Sequence, residues 1–181
     1  MIQLSTLLWG FALLFAVIGY MRGLPKELIS LAGIVLALFA LFQFDVPLRD
    51  VLLVNVPAGQ KFFIQVIIFC GIVFFAYQSR ALGRRLNVPQ NQEGRDAFQT
   101  TILGAIVGFI NGYCIWGSIW YFMHINDYPL TPFIVAPTPG TPSAEVINAL
   151  PLYVLAGGPG GDAGLLSLIV VILFVIVLVL I

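Results

Sequence analysis

Long apolar runs separated by short polar segments dominate this chain. A bilayer-spanning helix needs about 20 mostly apolar residues at a rise of 1.5 Å each, and five runs approach or reach that length: Leu4–Tyr20, Leu24–Phe44, Lys61–Gln78, Ile102–Met123 and Leu165–Ile181. The last would cover roughly 26 Å of a hydrocarbon core about 30 Å thick. The pattern predicts an all-α, polytopic membrane helix bundle with four core spans and a fifth, C-terminal one.

The composition agrees with this interpretation. Of 181 residues, 60% are hydrophobic and only 9% are charged, whereas a soluble domain carries about 25% charged residues. The net charge is zero and no basic tract is present, which argues against nucleic acid as a partner and leaves the lipid bilayer. We expect a transmembrane core at 1–123, a Pro/Gly-rich loop at 124–163 and a last helix at 164–181.

The basic residues predict an orientation. Six of the eight fall in the first and third loops: Arg22, Lys26, Arg80, Arg84, Arg85 and Arg95. Loops rich in Lys and Arg stay in the cytoplasm. We therefore expect the N-terminus outside, the two basic loops inside and the 124–163 loop outside. Arg80, Arg84 and Arg85 are interpreted as contacts to anionic lipid headgroups, with docking of a soluble partner as the alternative.

The long loop holds seven of the eleven prolines, which favour extended chain over regular structure. Within it, Ser143 is placed as an N-cap, and Val146, Ile147 and Leu150 follow at helical spacing. This pattern predicts a short helix on the membrane surface that ends near Pro151.

The strongest packing signal is "LGAIVGFINGYCIWGSIW" in the fourth span. Gly104, Gly108 and Gly112 recur every four residues and form a bare stripe, beside which Asn111 is placed to bond across to another helix. Such stripes let helix backbones approach closely within a membrane. Two interpretations remain open: packing inside one chain, or an interface with a second copy or another membrane protein.

Chemistry-bearing residues are scarce within the spans. Pumps and proton relays place ionisable side chains in the bundle interior, but these spans offer neutral groups such as Gln43, Gln65 and Asn111. No nucleophile has a base at a suggestive spacing, and no His or Cys cluster suggests a metal. We expect no enzyme, cofactor or metal. A channel or transporter formed by an oligomer, with Gln65 and Asn111 near its path, and an accessory subunit of a larger complex are the alternatives.

Two blocks resemble a known family. "RGLPKELISL" is similar to the Arg-Gly-x-x-basic-Glu-x-x-Ser-Leu block of the colicin V production protein (CvpA) family, and falls on Arg22, Gly23, Lys26, Glu27 and Ser30. "LGAIVGFINGY" resembles that family's second block, Leu-Gly-x-x-x-Gly-x-x-x-Gly. Family members often carry an Asp-Arg pair before the second block and an Arg before its last Gly. Here those places hold Thr100-Thr101 and Asn111.

The resemblance implies a bacterial inner-membrane protein associated with toxin (colicin V) production or export and with envelope homeostasis. If the resemblance is set aside, the positions of the charged residues in the loop and the helix are enough to explain the first block. Arg22 and Lys26 mark a cytoplasmic turn, and Glu27 favours the positive end of the second helix.

Overall fold

The computed structural model describes residues 3–45, 47–78, 94–158 and 161–180. The longer helices are α1 (Leu4–Arg22), α2 (Leu24–Gln43), α3 (Ala58–Gln78), α4 (Gly94–Ile125) and α7 (Gly164–Leu180). Between them lie α5 (Pro142–Val146), α6 (Pro151–Ala156), a π-helical turn at Pro47–Leu52 and a 3₁₀ turn at Ile147–Ala149. No strand occurs in these ranges, so the all-α prediction is confirmed.

Four helices are long and apolar enough to cross a membrane: α1, α2, α3 and the Phe98–Ile125 part of α4. The prediction of four core spans is therefore confirmed. α4 has 32 residues and is about 48 Å long at 1.5 Å per residue, so it exceeds a hydrocarbon core of about 30 Å. α7 is strongly apolar but has 17 residues, and its passage through the bilayer stays a prediction.

A single residue, Gly23, separates α1 from α2. Its φ of 78° lies in the left-handed region, which glycine adopts without the penalty that a Cβ would bring. The chain therefore reverses at once, and the last turn of α1 lies beside the first turn of α2. We call this end of the bundle the hairpin end, and the opposite end, where α1 begins and α4 stops, the loop end.

The glycine stripe of α4 lies against α1 of the same chain. A Cβ on Gly104 would lie 2.6 Å from the Gly19 carbonyl oxygen, and one on Gly112 would lie 2.7 Å from the Phe11 carbonyl oxygen. Between them, a Cβ on Gly108 would lie 2.9 Å from the Gly19 Cα. The order of these pairs shows that the helices are antiparallel. The sequence left two interpretations of the glycine stripe open. In the structure the stripe packs against α1 of the same chain, so this face of α4 is covered.

The centre of the bundle is filled with large side chains. α2 contacts α3, α4 and α7, and its Ile34 and Leu38 are fully buried. Across from them, the rings of Phe69 on α3 and Phe122 on α4 meet edge to face with centroids 5.7 Å apart. Aromatic pairs in this geometry are favourable beyond the area that they bury.

The short helix predicted in the long loop is present, and its helical turns end at Ala149, near Pro151 as predicted. Its N-cap was predicted wrongly. Thr141, not Ser143, is the N-cap, since its side chain accepts a hydrogen bond from the Ala144 N–H at 3.4 Å. Ser143 is buried, and its Oγ lies 3.1 Å from the Oγ of Ser5 on α1. After the extended Leu150, Pro151 begins a second helix, α6, because the first turn of a helix does not use the missing N–H.

The loop helices are docked on the bundle. A Cβ on Gly117 of α4 would lie 2.8 Å from the Pro151 Cγ, so the start of α6 needs the bare backbone there. The Tyr113 hydroxyl of α4 donates to the Ala149 carbonyl. These contacts join the loop to α4, and the Ser5–Ser143 pair joins it to α1.

Candidate functional site: one carboxylate shared by four helices

The α1–α2 turn positions the two charges of the first sequence block. Arg22 ends α1, and Glu27 lies in the first turn of α2, where its N–H donates to the Gly23 carbonyl at 3.3 Å. Pro25 fits this turn because its missing N–H is not required there. The tight reversal at Gly23 therefore brings Arg22 and Glu27 together.

The Glu27 carboxylate is fully buried and receives donors from three other helices. Arg22 Nη1 of α1 lies 2.7 Å from Oε1. Asn111 Nδ2 of α4 donates to Oε2 at 2.7 Å, and the Tyr77 hydroxyl of α3 donates to the same oxygen at 3.3 Å. All four core helices thus contribute to one carboxylate.

Arg22 is held by more than its ion pair. Its Nη1 also donates to Ser30 Oγ at 3.2 Å, and its Nη2 donates to the Tyr77 carbonyl at 3.2 Å. The guanidinium carbon lies 4.4 Å from the centre of the Tyr77 ring, a cation–π distance. The side chain of Arg22 is 24% exposed, against 0% for Glu27. Arg22 therefore forms the outer part of the site and Glu27 its interior.

We name Arg22, Glu27, Ser30, Tyr77 and Asn111 the Glu27 cluster. An isolated carboxylate is strongly unfavourable in a low-dielectric interior, and burial is tolerated where a counter-charge and hydrogen bonds compensate it. Both are present here. Because donors from α1, α3 and α4 converge on an acceptor of α2, the cluster also fixes how the four helices meet.

The structure corrects one expectation about the spans. The sequence suggested that almost nothing ionisable faces the interior, yet Glu27 does. The position of Glu27 at the positive end of the second helix gives no sign of burial, but Tyr77 of α3 and Asn111 of α4 close over that turn and cover it. Lys26, the neighbouring charge, is exposed, and its carbonyl accepts from Ser30 Oγ at 3.1 Å.

Sequence reasoning missed Tyr77. It stands at the end of an apolar run in α3, 50 residues from Glu27, and no spacing rule links it to the first block. A polar aromatic residue near a span end is normally explained by the membrane interface, so no signal marked it. The predicted lipid-facing residues Arg80, Arg84 and Arg85 lie outside the described residues.

A second polar cluster lies at the loop end, between α2, α3 and α4. Gln65 Nε2 donates to Asp45 Oδ1 at 3.2 Å, and Asn126 Nδ2 donates to Gln65 Oε1 at 2.8 Å. Gln65 and Asn126 are each 2% exposed. A cavity of about 50 Å³ adjoins Asp45 and Gln65. Across the described ranges, no three His, Cys, Asp or Glu side chains are grouped as metal ligands.

The family model described as Colicin V production protein matches residues 4–134. The chain belongs to the colicin V production protein family. No curated protein and no solved structure matched it. The match includes α1 to α4 and every residue of the Glu27 cluster, whereas α5, α6 and α7 lie beyond its end.

One departure from the colicin V production family pattern falls inside the cluster. The position before the last glycine of the second block, often Arg in the family, is Asn111 here. Its amide donates to Glu27 without adding charge, so Arg22 is the cation paired with the carboxylate within the described residues.

Proposed function

We propose that this protein is a non-enzymatic helix-bundle subunit of the bacterial inner membrane that acts in colicin V production or export, or in envelope homeostasis. The observation that carries the proposal is the Glu27 cluster, in which a single carboxylate ties four helices together. The polar groups of the cluster hydrogen-bond largely to one another. Both Glu27 carboxylate oxygens accept hydrogen bonds, and Arg22 donates to three acceptors. Such an arrangement favours a fixed scaffold over a site that binds a reactant.

The proposal includes an orientation. With the N-terminus outside, the hairpin end faces the cytoplasm, in agreement with the exposed Lys26 and the partly exposed Arg22 at that end. The loop helices then face the outside. A reporter enzyme fused after Pro139 should be active only outside the cytoplasm, and activity in the cytoplasm would reverse the orientation.

The glycine stripe is covered, but two other surfaces among the described residues suit a membrane-protein partner or a second copy. α3 presents exposed Phe63, Ile67 and Phe75 along its length, a face that suits lipid or another span. In the long loop, the Phe133 side chain is 93% exposed. Large aromatic side chains such as Phe are enriched in the cores of protein interfaces.

The functional test is a complementation experiment. In cells that make a colicin V-type toxin, deleting this protein should lower the toxin released, and restoring the wild type should recover it. Glu27→Ala should fail to complement because the four helices lose their common contact. The lipid-facing Leu13→Ala, exposed on α1, is the matched control and should complement. Unchanged toxin release and unchanged envelope integrity in the deletion strain would refute the proposal.

A channel or transporter is the second candidate, and the two polar clusters favour it. They lie at opposite ends of the interface between α2, α3 and α4, with Phe69 and Phe122 between them. Asn111 on α4 and Asn126, the residue directly after α4, are 15 residues apart, which corresponds to about 22 Å at the rise of a helix. Asn111 Oδ1 is buried and accepts no hydrogen bond from the described residues, so a water or polar solute could donate to it.

Flux measurements separate the two candidates. Proteoliposomes of a scaffold should leak ions and small solutes no faster than empty vesicles, whereas a transporter should exceed them. Phe69→Ala removes part of the aromatic barrier and should raise flux only if the path is real. Absence of flux in both the wild type and this variant would remove the second candidate.

A further inference from the structure

An apolar groove lies between α2, α3 and α7 on the membrane-facing side of the bundle. Its volume is about 280 Å³, and every lining side chain is apolar. α2 supplies Ile29, Ala32, Gly33 and Leu36, α3 supplies Ala76, and α7 supplies Val170, Leu173, Phe174 and Val177. The groove is therefore built from three helices of the described bundle.

The shape of the groove follows from residue size. Its floor consists of Ala32, Gly33 and Ala76, and a Cβ added to Gly33 would lie 3.5 Å from the Ala76 Cα and closer still to its Cβ. Its wall on one side is formed by longer side chains of α7, including Phe174. A groove of about 280 Å³ can hold part of a hydrocarbon chain, whereas a helix about 10 Å across is too large for it.

A charged residue, Lys26, lies on α2 beside the groove at the hairpin end. Lys26 precedes Ile29 by three residues and Gly33 by seven, a spacing that places them on the same face of α2. Helical side chains lean toward the N-terminus, and lysine extends its amine to the membrane boundary. Lys26 is exposed, and no carboxylate among the side chains that the structure describes forms an ion pair with it.

We propose that this groove holds one acyl chain of an anionic glycerophospholipid, with the lipid phosphate bound by Lys26. Lys26 matches the anionic phosphate, and the apolar groove matches the acyl chain. The two follow each other in the same order, from the hairpin end inward, in the site and in the lipid. Ile29 to Leu36 spans about 10 Å along α2, so the bound chain belongs to the leaflet at the hairpin end. Basic residues at a membrane surface favour anionic over zwitterionic headgroups.

Photocrosslinking of the full-length protein in detergent micelles tests the location. The probe is phosphatidylglycerol with a diazirine in one acyl chain, and crosslinked peptides are identified by mass spectrometry. We expect adducts on 29–36 and on 170–177. Adducts spread over all lipid-facing helices, with no enrichment on these two segments, would overturn the site.

Variants test the two parts separately. Lys26→Gln should lower the retention of phosphatidylglycerol about fivefold, the ratio expected from about 1 kcal/mol per basic residue, and should leave phosphatidylcholine unchanged. Lys61→Gln, on α3 at the loop end, is the matched control.

Ala32→Phe fills the groove and should lower crosslinking to both lipids. Leu36→Trp, at a half-exposed position, repeats the test if Ala32→Phe does not fold. Wild-type crosslinking in a folded groove variant would refute acyl-chain binding, and an unchanged lipid preference in Lys26→Gln would refute the headgroup contact.

Discussion

Asn111 Nδ2 lies 2.7 Å from Glu27 Oε2 and 3.2 Å from the Glu27 carbonyl oxygen. One amide of α4 therefore holds both the side chain and the backbone of the first turn of α2. Both residues are fully buried, so water cannot replace these hydrogen bonds without opening the bundle. Asn111 therefore joins the second sequence block to the first by hydrogen bonds, in addition to the close packing of Gly104 on Gly23.

Replacing Asn111 with Leu should destabilise the protein by about 1–3 kcal/mol, the cost of leaving buried acceptors with fewer donors. Tyr77→Phe removes the other donor to Oε2, and the double variant should differ from the sum of the singles, because contacting residues in one network are not additive. The free energies of unfolding are measured in detergent, with circular dichroism as the signal. Ser118→Ala is the control, since this buried hydroxyl of α4 donates to the Cys114 carbonyl of its own helix. Equal effects of Asn111→Leu and Ser118→Ala would contradict the role of the Glu27 contact.

Removing Arg22 and removing Glu27 from their ion pair should lower the free energy of unfolding by different amounts. Arg22→Met leaves Glu27, which is 0% exposed, without its counter-charge, and we expect a loss of about 3–5 kcal/mol. Glu27→Gln leaves Arg22, which is 24% exposed and can extend toward the boundary, so the loss should be smaller. Thermal unfolding of both variants in one detergent measures the order.

Lys26→Gln is the control for that pair, because it removes an exposed charge from the same turn and should change stability by no more than about 0.5 kcal/mol. A larger loss for Glu27→Gln than for Arg22→Met would mean that Arg22 is the more deeply buried partner, against the geometry described above.

Because α1 packs closely on α4, even a small side chain at Gly108 should lower the stability of the protein. Gly108→Ala places a Cβ 2.9 Å from the Gly19 Cα and should cost about 1–3 kcal/mol through overpacking. Gly10→Ala, on α1, meets no atom within 4 Å and should be neutral or stabilising by up to about 1 kcal/mol through helix propensity. Thermal unfolding compares stability, and size-exclusion chromatography compares assembly. A Gly108→Ala protein of normal stability but altered oligomeric state would point instead to an interface between chains.

The sequence predicts the helices of this fold well because each span must satisfy its own backbone hydrogen bonds in lipid. Hence α1 and α2 begin at the predicted residues, Leu4 and Leu24. It predicts the site only in part. Glu27 is buried because Tyr77 and Asn111, 50 and 84 residues away, close over its turn, and no local pattern encodes that contact.

The long loop shows the same limit. Helical spacing around Val146 correctly indicates α5, yet the position of the next helix, α6, depends on the contact between Pro151 and Gly117, more than 30 residues earlier in the chain. A bare glycine in a span has no periodic signal of its own unless it repeats, as Gly104, Gly108 and Gly112 do. Docking of α6 was therefore outside the reach of sequence patterns.

Gly117→Leu should release the loop helices from α4. The new side chain would occupy the position of the Pro151 ring, so α6 must move away, and the Tyr113–Ala149 hydrogen bond should break with it. Hydrogen exchange measured by mass spectrometry should rise at least tenfold across 142–156, while α1 to α3 keep their protection, because locally opened segments exchange faster. Gly71→Ala on α3, where a Cβ meets nothing within 4 Å, is the matched control and should leave the loop unchanged. Equal protection of 142–156 in both variants would show that the loop is held by contacts other than the one between Gly117 and Pro151.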